Sequence, residues 1–340
     1  VKKIGIAFLS SFAVLLTACG GGSPSLGVSY TLPTVPTTAV AIDSGNAQSV
    51  AQDALASSAG AMNAGYGGPG GVATGSQTKK TVKLHLDEAI RIANKVIIDN
   101  LNAAPIPAGT TSSYSCSAID PSYQGSVTYR VEGNDERIDY NNCGDPAVVL
   151  IDGSIAATNV SYTGNPPSTP YTLSVTYSYD LTFTYNSGAE TIDMMGRFDV
   201  DINDTGSSLT IAISNGEMGI TSGGESLVMT NINNTQSCSA YNSFTIACTG
   251  IVTVSNNYTV GGTLSGGTIT VATTTPLQID MSSGAQFPYT GQILVSGNNS
   301  KLRITINGDE SSASPQITVD IDADNNDVYE AQLTLDWSAI

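Results

Sequence analysis

The sequence predicts a mainly β protein: a large antiparallel meander (curled sheet, sandwich or half-barrel) with one or two N-terminal helices packed on it. Three observations predict it. From about Tyr114 to Trp337 apolar and polar residues alternate with period two. Clusters of Gly, Asn, Asp and Ser separate these runs, as at Asn186-Ser187-Gly188, Asp204-Thr205-Gly206 and Gly297-Asn298-Asn299. The strands lack the continuous apolar runs of a parallel sheet buried on both faces.

The clearest strand spans residues 171–186, where Tyr171, Leu173, Val175, Tyr177, Tyr179, Leu181, Phe183 and Tyr185 alternate with Thr, Ser, Asp and Asn. One face is apolar and the other polar, so these tyrosines are expected in the core. Similar patterns recur at Ile192–Ile202, Leu209–Ile213, Leu302–Ile306, Ile317–Ile321 and Leu333–Trp337. A total of about 15 to 18 strands exceeds what one flat sheet carries, so the sheet must curl, split or close. The β domain is placed at residues 105–340. Ser115-Cys116-Ser117-Ala118 recurs as Ser237-Cys238-Ser239-Ala240, which raises a division into two related halves near residue 235.

Residues 42–104 read as helical around a glycine-rich linker at 65–76. Ala47, Val50, Ala51, Ala54, Leu55 and Ala61 recur at three- and four-residue steps behind the caps Asp43 and Ser44. A second stripe, Leu86, Ala89, Ile90, Ala93, Val96, Ile97 and Leu101, ends before Pro105 and Pro107. Gly65, Gly67 and Gly70 spell a G-x-G-x-x-G, but no strand precedes it and Pro69 interrupts it, so no nucleotide fingerprint is read there. His85, the only histidine, reads as a cap or surface residue.

The first 19 residues, VKKIGIAFLSSFAVLLTAC, begin with two lysines, continue through a short apolar run and end in small residues. That is the layout of a secretory signal, assigned to residues 1–18, and the run is too short to span a bilayer permanently. Leu16-Thr17-Ala18-Cys19 resembles the lipobox of bacterial lipoproteins. The resemblance covers only this segment. It implies cleavage before Cys19, several acyl chains on that cysteine and a membrane partner reached through the N-terminal lipid anchor. Gly20, standing where an Asp retains such proteins in the inner membrane, implies the outer membrane. Residues 19–41, rich in Gly, Pro, Ser and Thr, are expected to be a flexible tether.

Four further cysteines, Cys116, Cys143, Cys238 and Cys248, allow three disulfide pairings in an oxidising compartment. Sequence proximity favours Cys116 with Cys143 and Cys238 with Cys248. Those bridges close loops of about 28 and about 11 residues, worth about 3.6 and about 2.8 kcal/mol on a chain-entropy basis. No C-x-x-C spacing suggests zinc or redox chemistry.

The chain is 340 residues long, 40% hydrophobic and 12% charged, with a net charge of −17. That is enough apolar material for one large core or two ordinary ones. Removing Lys2 and Lys3 with the signal leaves 10 basic against 29 acidic residues, a net charge of −19. Binding to nucleic acid phosphates needs the opposite sign, so no nucleic-acid partner is expected. With one histidine and no G-x-S-x-G, a Ser-His-Asp scheme has no support.

The densest local motif is Asp320, Asp322, Asp324, Asn326, Asp327 and Glu330. Hard cations need several converging oxygens, which makes Asp322, Asp324, Asn326 and Glu330 a candidate Ca²⁺ site, similar to the short acidic loops of extracellular calcium repeats. A plain turn rich in Asp and Asn is the competing reading. Asp199, Asp201, Asn203 and Asp204 form a weaker relative on a polar strand face.

The function expected is a non-enzymatic, outer-membrane-anchored role in binding or envelope structure, with an unidentified protein, lipid or glycan partner. The alternatives are a hydrophobic-ligand carrier with an apolar β cavity and a carbohydrate hydrolase with two facing carboxyl groups.

Overall fold

A computed structural model describes residues 26–51, 54–55, 109–165, 168–185, 188, 190–242, 247–248, 250–262, 266–280, 288–308 and 316–335. The signal, Cys19, the linker at 65–76, His85 and the helix expected over 86–102 lie outside them.

The period-two pattern does produce strands. In chain order they are β1 (Thr110–Ser115), β2 (Gln124–Glu132), β3 (Asp135–Asp145), β4 (Val149–Asn165), β5 (Ser168–Tyr185), β6 (Glu190–Asp204), β7 (Leu209–Ser222) and β8 (Glu225–Cys238). They continue with β9 (Tyr241–Asn242), β10 (Ala247–Cys248), β11 (Ile251–Gly262), β12 (Gly267–Asp280), β13 (Thr290–Ser296), β14 (Lys301–Asn307), β15 (Gln316–Asp322) and β16 (Ala331–Leu335). Fourteen of them form one antiparallel curled sheet in nearly sequential order, with β8 pairing directly with β11. The small β9–β10 ribbon stands apart.

The alternation predicted over 171–185 holds: Tyr171, Leu173, Val175, Tyr177, Tyr179, Leu181, Phe183 and Tyr185 are all buried on the inward face. Registry carries this face across the sheet. Tyr177 pairs with Ala157 and Phe198, and Tyr179 with Ile155 and Gly196. The core therefore runs from Val127 in β2 to Leu335 in β16.

Curling has a local cause. Asn142, Asn159, Asn215 and Asn231 adopt positive φ at or beside irregularities in the ladders. Asn tolerates that conformation, and each extra residue bends its strand and sharpens the twist. Two of these bulges are held by carboxylates: Asp152 accepts the Asn142 N–H at 2.8 Å and Asp135 the Asn159 N–H at 2.9 Å.

No break in the sheet marks the division considered near residue 235. Thr235 lies inside β8 and is paired to Ala212 on one side and Ser255 on the other, so the sheet runs unbroken through it. The repeated tetrapeptide also serves two settings. Cys116 opens a 3₁₀ turn after the edge strand β1, whereas Cys238 ends the interior strand β8.

Residues 47–51 and 54–55 are helical, as the small-residue stripe predicts. Ala47, Val50, Ala51, Ala54 and Leu55 are buried in the same core as the inward face of the sheet. Asp43 starts the turn by accepting the Gly45 N–H at 2.7 Å, and Tyr258 of β11 donates to the Ala54 carbonyl at 3.0 Å.

A correction concerns the flexible tether expected over 19–41. From Leu26 onward the chain is docked on the outward face of the sheet.

Candidate functional site

One bridge lies at the β1 edge of the sheet and the other at the end of the interior strand β8. Cys116 joins Cys143 and Cys238 joins Cys248, each with Cα atoms 5.7 Å apart. This is the neighbour pairing expected from sequence. The first ties the turn after β1 to β3, and the second ties β8 to β10.

The acidic motif splits between a ladder and a turn. Asp320 and Asp322 point outward from β15, directly opposite Arg303 and Lys301 of β14. Arg303 donates from Nε and a terminal nitrogen to Asp320 at 3.0 and 2.8 Å, and Gln332 of β16 donates to its other oxygen at 2.7 Å. The ring of Tyr329 lies 4.2 Å from the Arg303 guanidinium carbon, a cation–π contact. The Lys301 ammonium sits 3.3 Å from Asp322 and also pairs with Asp327.

Asp322 additionally accepts the backbone N–H groups of Asn326 and Asp327, at 3.1 and 2.9 Å. Burial would raise its carboxyl, but those two donors and Lys301 outweigh it and hold Asp322 below the usual carboxylate range. Asn326 is committed within the turn, donating to Asp324 at 2.9 Å and accepting from Val328 N at 2.7 Å. Glu330 accepts the Ala323 N–H at 3.0 Å.

Oxygens of Asp322, Asp324 and Glu330 do come within 4.8 Å of one another. The same group is also an Asp/Asn turn in which Lys301 pairs with Asp322 and Asp327. Asn325 and Asp327 take positive φ, as such turns require. Lys301, Arg303, Tyr329 and Gln332 were not singled out by the sequence reading. Their signal was nonetheless present: Lys-x-Arg and Asp-x-Asp are mirror images about the β14–β15 hairpin.

The weaker acidic group also resolves into pairing. Asp199 accepts from Thr176 at 2.7 Å and Asn215 at 3.0 Å. Burial works against its charge, but these donors and Arg197 prevail and lower its pKa. Asp204 departs from the polar face expected for it. It is buried at the end of β6 and accepts the Gly206 N–H at 2.7 Å.

The larger feature is a strap. Leu26 and Gly27 present their carbonyls to Arg137 of β3, and Val28 donates to Ser178 of β5 at 2.9 Å. The Tyr30 hydroxyl reaches Glu217 of β7. Leu32 and Pro33 lie over Gly219 of β7, and Val35 and Pro36 over Gly261 of β11. Ala39 then forms a parallel bridge with Thr268 of β12, Asn298 donates to the Val40 carbonyl at 2.7 Å, and Ile42 donates to Ser300 at 2.7 Å before turning into the core.

The strap thus crosses from β3 to β14, nine inter-strand steps of about 4.8 Å, or about 43 Å. Sixteen residue steps from Leu26 to Ile42, whose N–H meets Ser300 just before β14, supply about 53 Å when extended, so the segment runs close to full extension.

The sheet provides a track for it. Ala156, Ser178, Gly219, Val228 and Gly261 face outward along it; Ala156 and Val228 are buried there. A Cβ at Gly219 would stand 2.4 Å from Pro33, which no packing allows. The sequence carried this signal as well. Leu26, Val28, Tyr30 and Leu32 alternate within the apparent tether, and Ile155-Ala156-Ala157 and Leu227-Val228-Met229 break strand alternation where the strap passes.

One inward residue is chemically anomalous. Glu136 of β3 is 1% exposed on the apolar face, and burial raises its carboxyl well above the ordinary glutamate value. The neighbouring Tyr129 hydroxyl pulls in the opposite direction without reaching hydrogen-bond geometry. Tyr129 is itself pushed upward by burial and by this carboxyl.

Among the described residues no helix is long and apolar enough to cross a membrane. No protein-family model, curated protein or solved structure matches the chain.

Proposed function

We propose that this protein is an exported, non-enzymatic lipoprotein of the bacterial outer membrane, anchored through Cys19, whose β body serves binding or envelope architecture. The observation that carries the reading is the pair of disulfides closing the fold, Cys116–Cys143 and Cys238–Cys248. Such bridges persist in oxidising compartments, which agrees with a signal over residues 1–18 and a lipobox at Leu16–Cys19. The strap adds support, since its outer end begins seven residues after Cys19.

Burial of the inward face favours this reading over a hydrophobic-ligand carrier. Side chains such as Val254, Ile293, Val295, Leu302 and Ile317 have no accessible surface, whereas the lining of an open apolar cavity would keep some.

Intact-mass spectrometry and fractionation test the proposal. The expected species starts at Cys19, carries acyl groups and sediments with the outer membrane, and Cys19→Ser abolishes both properties. An unacylated chain that keeps residues 1–18 overturns it.

A further inference from the structure

If the chain is anchored at Cys19, the docked strap decides which side of the body meets the bilayer. Only residues 20–25 separate Cys19 from Leu26, whose carbonyl lies against Arg137 on β3. Seven residue steps reach at most about 25 Å, so the anchor emerges within that radius of the outward face of β3. A free tether over 19–41 would have imposed no such limit.

Chemistry discriminates the two ends of the strap. Near its start, β1 carries no charged residue and presents Thr111 and Ser113 outward, with Ser113 hydrogen-bonded to Thr128 of β2. Beside them stand Arg130, 45% exposed in its side chain, and Arg137, both paired to Asp139. Arg137 is already committed to Asp139, Ser154 and the Leu26 and Gly27 carbonyls, and Glu132 and Asp135 share the face, so the groups left to meet phosphate and ester oxygens are the hydroxyls and the part-exposed Arg130. At the far end lies the acidic turn with Asp324, Asp327 and Glu330 exposed. In a chain of net charge −17, an anionic headgroup layer repels that end more strongly.

We infer that the outward face of β1–β3 rests on the phospholipid headgroups, with the acidic turn directed away from the bilayer. The inference rests on the lipid-anchor reading above and adds an orientation to it.

The test uses the full lipidated chain in vesicles of phosphatidylethanolamine and phosphatidylglycerol containing a nitroxide-headgroup lipid. Two single variants, Thr111→Cys on β1 and Val328→Cys in the acidic turn, each carry a fluorophore, and the intact mass of each sample is measured. The expected result is about threefold or greater quenching at position 111 relative to 328, with the contrast collapsing when a twelve-residue Gly-Ser insert after Ser25 lengthens the leash. Acylated protein with equal quenching at the two positions, or stronger quenching at 328, overturns the orientation alone. A mass lacking acyl groups overturns the anchor and the orientation together.

Discussion

The strap at residues 26–42 and the acidic turn after β15 both lie on the outward face of the sheet, yet they close against it by opposite chemistry. The strap is nearly uncharged and held by backbone donors and acceptors, a few side-chain hydroxyls and a track of small residues. The turn is dense in carboxylates and held by two cations opposite them in register. One segment looked free and is fastened; the other gathers carboxylate oxygens and sets Lys301 against two of its carboxylates. In both cases the partners lie far away in sequence.

The largest expected effect comes from removing the strap. Deleting residues 26–42 exposes the track and withdraws Ile42, 1% exposed, from the core. Stability should fall by about 3 to 6 kcal/mol, counting about 1.5 to 3 kcal/mol each for Ile42 and for Val228 on the uncovered track. Chemical denaturation of the deletion variant reads this directly, and an unchanged midpoint would mean the strap is only resting on the sheet.

A gentler break is Gly219→Val, which drives a side chain into Pro33. Overpacking costs about 1 to 3 kcal/mol, and here the strap lifts before the sheet distorts. Limited proteolysis should then cut within residues 26–42 while the β domain stays intact; cleavage spread through the sheet would contradict the track.

On the other side of the comparison, Arg303→Ala removes two charged hydrogen bonds to Asp320 and the contact with Tyr329. A loss of about 2 kcal/mol is expected, with Lys at the same position restoring only part of it. Equal stability of the Ala and Lys variants would show that planar pairing is irrelevant there.

Glu136 sharpens the role of counter-ions, because among the described residues no ion pair is formed by it, unlike Asp322. Its folded-state pKa is raised, so its favourable contribution is complete below the unfolded value near 4.5 and is lost as pH rises through the folded value. Glu136→Gln should leave the melting temperature little changed at about pH 5 and raise it by a few degrees at about pH 8. A shift of the same size at both pH values would remove titration as the cause.

The smallest effect is expected from calcium. Millimolar Ca²⁺ should move the wild-type melting temperature by less than about 1 °C, while Lys301→Gln frees Asp322 and Asp327 and gains a calcium-dependent rise. A strong calcium response in the wild type would show that the oxygens of Asp322, Asp324 and Glu330 take the ion in spite of Lys301.

How much of this was legible follows from which residues specify what. Tyr171 through Tyr185 revealed their strand and its buried face because side-chain alternation is a local property. Cys116 with Cys143 and Cys238 with Cys248 were legible because short loops close easily. Lys301 and Arg303 went unnoticed because a cross-strand pair depends on register, which links positions 301 and 322 only after the hairpin closes. Leu26, Val28, Tyr30 and Leu32 were read as linker because the surrounding Gly, Pro, Ser and Thr dominate the composition.

By itself, then, the sequence determined the β class, the inward tyrosine-rich face, the helical stripe after Asp43 and the pairing of the thiols, since each depends on spacing along the chain. Tertiary structure alone decided that Asp320 and Asp322 face cations and that residues 26–42 cross ten strands from β3 to β14. Both depend on which strands become neighbours and in what register; the local patterns at 26–32, 301–303 and 320–322 mark the segments, but what each meets is decided only when the curled sheet assembles.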